Sequence, residues 1–148
     1  MGKQFIVKNL VESYEIQKSY DDQQYFEAVI KCRTYLEGWL LEYIYAIMYP
    51  TIEMASKENR AFVESRFTSM FIQLNWLKKF DHIRQTDYND MNNIRIFCDE
   101  VIRRNDVFKV VELPDLDQYL KATVYYCDYL KNMIRRIIEK ATGQKIEK

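Results

Sequence analysis

Along most of the chain, apolar positions recur at steps of three and four, the spacing that puts them on one face of an α-helix. The pattern predicts a first helix over Gln4 to Lys18, with Phe5, Val7, Leu10, Val11 and Tyr14 on its apolar side. Ser19-Tyr20-Asp21-Asp22 breaks it, and Asp21 or Asp22 is placed to cap a second helix over Gln23 to Met48. That helix carries Phe26, Val29, Ile30, Leu36, Leu40, Ile44 and Ile47, and Pro50 ends it. A third helix spans Glu58 to Phe80 on Phe62, Val63, Phe67, Met70, Phe71, Leu74 and Leu77. Asp81 to Asn89 is polar and reads as a turn, before a fourth helix over Asp90 to Arg104. Asn105 to Pro114 has no helical period, and its β-branched run is too isolated to seat a sheet. Asp115 and Gln118 have capping-box spacing ahead of a last helix from Leu116 to Lys140, and Gly143 stands where that helix should stop. The expected fold is therefore all-α, an up-and-down bundle of four to five long amphipathic helices.

Composition agrees. Three glycines and two prolines are too few for the turns of an all-β fold, and they leave no Gly-rich phosphate loop. With 148 residues and neither a repeat nor a linker tract, the chain reads as one domain. Within it, residues 1–20 form the N-terminal helix, 22–140 the bundle core and 143–148 a frayed tail. Lys+Arg and Asp+Glu both number 22, which argues against a dominant electrostatic grip on nucleic acid or anionic lipid. No window approaches a transmembrane span, and the first residues lack the apolar core of a signal peptide, so the expectation is a cytoplasmic protein with no membrane contact. Cys32, Cys98 and Cys127 are far apart and sit among apolar neighbours, as reduced packed thiols do. With one histidine, His82, no metal-ligand set is visible, and no cofactor is expected. The chain holds 12 tyrosines, more than one core should absorb, which predicts a homodimer through the second or last helix.

The informative positions are polar groups that intrude on an apolar stripe. Arg33 and Glu37 fall near the middle of the second helix's stripe, four residues apart, and are spaced to pair along the helix. Such a pair is either satisfied within the helix or at the rim of the core, or it marks a polar cleft between helices. Arg104 and Asn105 stand at the end of the fourth helix, with Lys109 beyond them.

These residues carry a resemblance. The segment Tyr25 to Ile47, with Ala28, Arg33, Leu36 and Glu37, resembles the first core helix of HEPN-type domains, notably those of abortive-infection proteins. Members are commonly dimeric helical bundles, and many are metal-independent ribonucleases of phage-defence and toxin–antitoxin systems. Their signature is an Arg, usually with a polar residue after it, and a His four to six residues further on, just before the final helix. Arg104-Asn105 occupies that place, but the positions that should hold the His are Lys109, Val110 and Val111. A lysine is a poor acid–base group at neutral pH unless its pKa is strongly depressed. The resemblance therefore implies a non-catalytic HEPN-like domain of a phage-defence or mobile-element system, with no catalytic residue. Its candidate polar cleft comprises Arg33, Glu37, Arg104, Asn105 and Lys109, and its ligand is a partner protein, a nucleotide or RNA. The alternative is a metal-independent ribonuclease with a degenerate active site.

Overall fold

A computed structural model describes residues 13–104 and 113–143, and every regular element among them is helical. Six α-helices follow in order: α1 (Ser13–Asp21), α2 (Tyr25–Met48), α3 (Lys57–Arg66), α4 (Met70–Lys79), α5 (Gln85–Arg104) and α6 (Leu113–Thr142), with a 3-10 turn at Ile52–Met54. The all-α expectation holds, whereas the count of four to five does not.

The extra helix comes from the predicted span Glu58 to Phe80, which is two helices. The apolar period runs unbroken through it, but Phe67-Thr68-Ser69 leaves helical geometry, and the Ser69 hydroxyl accepts the Ile72 N–H as a new N-cap. Val63, Phe67, Met70, Leu74 and Leu77 are buried as expected, while Phe62 and Phe71 are exposed.

Other boundaries shift for local reasons. α1 runs on through Ser19 and Tyr20 to Asp21, and residues 4–12 of its predicted span lie outside the described residues. Neither Asp21 nor Asp22 caps α2; its N-cap is Gln24, which makes no side-chain cap bond. Gln23 takes φ 63°, a left-handed turn that folds α2 back on α1. α5 starts at Gln85, five residues before the predicted start, because the polar stretch holds Asp87 in the helix's first turn. There its carboxylate is buried and pairs with Arg84 at 2.8 Å. α6 starts at Leu113, so Asp115 lies inside its first turn and not at an N-cap, and Pro114 is tolerated there because that turn needs no N–H partner. Gly143 ends α6 at φ 71°, a left-handed residue at the expected stopping point.

α2 is the central element. It packs along α6 and also touches α1, α3, α4 and α5. One core joins Ile16 of α1, Leu36, Leu40 and Ile44 of α2, Leu74 and Leu77 of α4, Met91 and Ile94 of α5, and Leu120, Leu130 and Ile134 of α6. All three cysteines are free thiols buried in it, and burial pushes the Cys32 thiol up to about 12. Most tyrosines are absorbed as well: Tyr35, Tyr43, Tyr45 and Tyr126 are buried, others pack at the core's margin, and Tyr14 and Tyr125 are strongly exposed. The surplus that predicted a homodimer is therefore much smaller than the count suggested.

Tyr43 joins α2 to the α4–α5 turn. Its hydroxyl donates to the His82 carbonyl at 2.5 Å, and burial, then Tyr129 and Asp87, push its pKa up to about 12. An unfolded tyrosine ionises near 10. The folded value is the higher, so Tyr43's contribution is complete below about pH 10 and is lost as pH rises towards about 12. Urea midpoints measured between pH 9 and pH 12 should fall for the wild type and fall less steeply for Tyr43→Phe. Parallel slopes would show that Tyr43 does not set the alkaline limit.

Candidate functional site: the cleft at Arg33 and Glu37

α2 delivers Arg33 and Glu37 to one side, a helical turn apart, with Arg33 Nε 3.9 Å from Glu37 Oε2. The predicted pair therefore forms. It forms at the rim of the core, with the two side chains 38% and 33% exposed. Arg33 also reaches across to α5, where its Nη1 lies 3.4 Å from Asp99 Oδ1. Arg95, one turn earlier on α5, holds the other oxygen of Asp99 at 3.4 Å and lies over the Phe71 ring. Burial raises the pKa of Glu37, Arg33 opposes that shift, and the Asp99 charge adds to it.

Around these groups the helices leave a cleft of about 670 Å³. Its apolar lining is Ile30 and Leu41 of α2, Phe67 at the α3–α4 break and Ile102 of α5. Its polar lining is Arg33, Thr34, Glu37, Glu64, Thr68 and Gln73. The break between α3 and α4 matters here, since a continuous helix would not turn Phe67 and Gln73 together onto this wall. Gln73 is 1% exposed; its Nε2 donates to the Phe67 carbonyl at 3.2 Å, and its Oε1 has no hydrogen-bond donor among the described residues. Asp99 Oδ1 is likewise buried without one among the described residues, because Arg33 meets it as an ion pair and not in hydrogen-bond geometry.

Of the five residues predicted for the cleft, the structure brings Arg33 and Glu37 together. Arg104 closes α5, and its side chain lies outside the described residues, as do Asn105 and Lys109. The sequence reading missed Asp99, Glu64 and Gln73. Arg95 and Asp99 show i,i+4 pairing spacing, but nothing in one dimension aims that pair at Arg33.

The deeper ion pair on α2 belongs to another residue. Glu42 is 6% exposed and bonds Arg60 of α3, which also holds Glu64 at 3.0 Å and covers the Tyr45 ring. A separate groove of about 780 Å³ runs between α5 and α6, where the Tyr126 hydroxyl donates to Asp90. His82 stacks on Trp76, 5.4 Å between ring centres, and does not line either space. Among the described residues no group of three His, Cys, Asp or Glu side chains is placed to hold a metal ion, and no helix is long and apolar enough to cross a membrane. Compared with protein families, characterised proteins and solved structures, the chain matches none.

Proposed function

We propose that the chain is a non-catalytic interaction domain of the HEPN type, an up-and-down bundle from a phage-defence or mobile-element system, which pairs with a second copy and binds a partner at the Arg33–Glu37 cleft. One observation carries this reading over a ribonuclease whose site recruits Arg33: Arg33 stands between two carboxylates, Glu37 at 3.9 Å and Asp99 at 3.4 Å. An arginine that stabilises a phosphate in a transition state must be free to meet it, and two carboxylates at that distance repel the phosphate as well. The cleft also has no histidine in its lining to move a proton. What it does offer is an apolar floor with a few placed polar groups, the make-up of a recognition site. Self-pairing has support in the apolar side chains left outside the core, Phe71, Ile72, Phe80 and Ile96 among them.

The test has two parts. Purified protein incubated with total RNA and EDTA should leave the RNA intact. Degradation that Arg104→Ala abolishes would overturn the reading in favour of the ribonuclease. Light scattering should give a dimer at tens of micromolar, roughly the range of moderate affinities, and a strict monomer there would remove the pairing.

A further inference from the structure

We infer that the Arg33–Glu37 cleft takes a cationic N–H donor on an alkyl stem, an ammonium or guanidinium group. The inference rests on the reading above only in treating the cleft as a binding site. Its first support is the inventory of donors and acceptors. Among the described residues Glu37 has Arg33 as its one ion-pair partner, at 3.9 Å, too long for a hydrogen bond. Among the same residues Gln73 Oε1, in the same wall, has no donor, and neither has Asp99 Oδ1 behind Arg33. Of these acceptors Glu37 is the one a ligand in the cleft can reach, and a ligand that supplies N–H groups gives this half-buried carboxylate the hydrogen bonds it lacks. An anion would add acceptors where donors are short.

Charge points the same way. Among the described residues in and behind the cleft, three arginines, Arg33, Arg60 and Arg95, stand against four carboxylates, Glu37, Glu42, Glu64 and Asp99. Arg60 is committed to Glu42 and Glu64, and Arg95 to Asp99. Arg33 then balances Glu37, so the unmatched negative charge among these groups rests on the Glu42–Arg60–Glu64 set, whose exposed Glu64 lines the cleft together with Glu37. One bound cation neutralises the set. The apolar residues beside Glu37 supply the place for its stem: Ile30 and Leu41 flank it on α2, and Phe67 and Ile102 close the cleft. Lysine and arginine side chains lay their methylene stems along such surfaces and keep the charged end at a polar group.

The cation has two sources, a free small molecule or a Lys or Arg side chain of a partner, and the two arms of one experiment separate them. Isothermal titration of the full chain uses agmatine in one arm and a blocked peptide, acetyl-Gly-Arg-Gly-amide, in the other. Binding of agmatine as tight as or tighter than the peptide assigns the cleft to a free cation; tighter binding of the peptide assigns it to a partner's side chain. In either arm Glu37→Gln should weaken binding by about ten-fold or more, as loss of a charge-assisted hydrogen bond does. Glu100→Gln, outside the cleft, should leave it unchanged, with circular dichroism showing both variants folded. Saturable binding of inorganic phosphate in place of the cations, or cation binding equal in wild type and Glu37→Gln, would overturn the inference. So would the absence of binding in both arms. None of these results alters the RNA or light-scattering outcome, so the cleft's ligand and the interaction reading fail separately.

Discussion

Arg60→Ala is expected to destabilise the protein by about 3–5 kcal/mol, the cost of leaving a buried charge without its partner. Glu42 sits on the buried side of α2 with its carboxylate bonded to Arg60 of α3, and few other α3 side chains reach the core, Val63 being the one that is buried. Removing the guanidinium leaves Glu42 either ionised in an apolar setting or protonated at a cost, and it also removes the cation stacked on Tyr45. The hydrogen bond to Glu42 is the largest influence that raises the Arg60 pKa, so the guanidinium stays charged throughout the working pH range. A double replacement, Glu42→Leu with Arg60→Met, should recover most of the loss, because buried pairs are often replaceable by apolar groups of similar volume. Urea midpoints decide between the outcomes. A loss below about 1 kcal/mol for Arg60→Ala would place the pair in the class of exposed ion pairs, which contribute that little. The Arg33–Glu37 pair belongs to that class already, as both side chains are a third exposed. Its coupling in a double-mutant cycle should be a few tenths of a kcal/mol, about 0.3–0.5 as for other exposed i,i+4 pairs.

Leu40→Ala should cost about 2–5 kcal/mol, the range for emptying a packed leucine site. Leu40 is fully buried at the centre of α2, where that helix meets its neighbours. Ile30 lies on the same predicted stripe but is 39% exposed at the mouth of the cleft, and Ile30→Ala should stay within about 0.5 kcal/mol of wild type. Equal losses at the two positions would mean that Ile30 is covered in solution, as a dimer contact at this cleft would cover it. Measuring the pair at two protein concentrations separates the cases, since stability conferred by a partner copy rises with concentration.

How the residues of α2 divide between core and cleft shows where one-dimensional reading stops. A helix face about 100° wide can be read from spacing, and it gave Leu36, Leu40 and Ile44 correctly. Spacing cannot show that α2 is wrapped on several sides. Neighbours on its other faces bury Tyr35, Trp39 and Tyr43 and even Glu42, and they leave Ile30 and the Arg33–Glu37 pair at an opening. The charged pair that looked most intrusive by position is thus the shallower one, and the deeper one is Glu42 with a partner 18 residues away on another helix.

By itself the sequence determined that the regular elements among the described residues are helices. Period and composition act locally, and each helix needs only its own residues to show an apolar face and a stop, as Gly143 does for α6. It determined the reduced, packed cysteines for the same reason, and the α2 origin of the Arg33–Glu37 pair. The tertiary structure alone decided the break at Phe67–Ser69, because an unbroken apolar period says nothing about a bend that a serine cap stabilises once α4 has a surface to turn onto. It alone brought Asp99, Glu64 and Gln73 to Arg33 and Glu37, from three further helices, and left acceptors there without donors. Which polar groups meet, and which go unmatched, depends on how helices far apart in the chain cross, and spacing along one helix carries no record of that crossing.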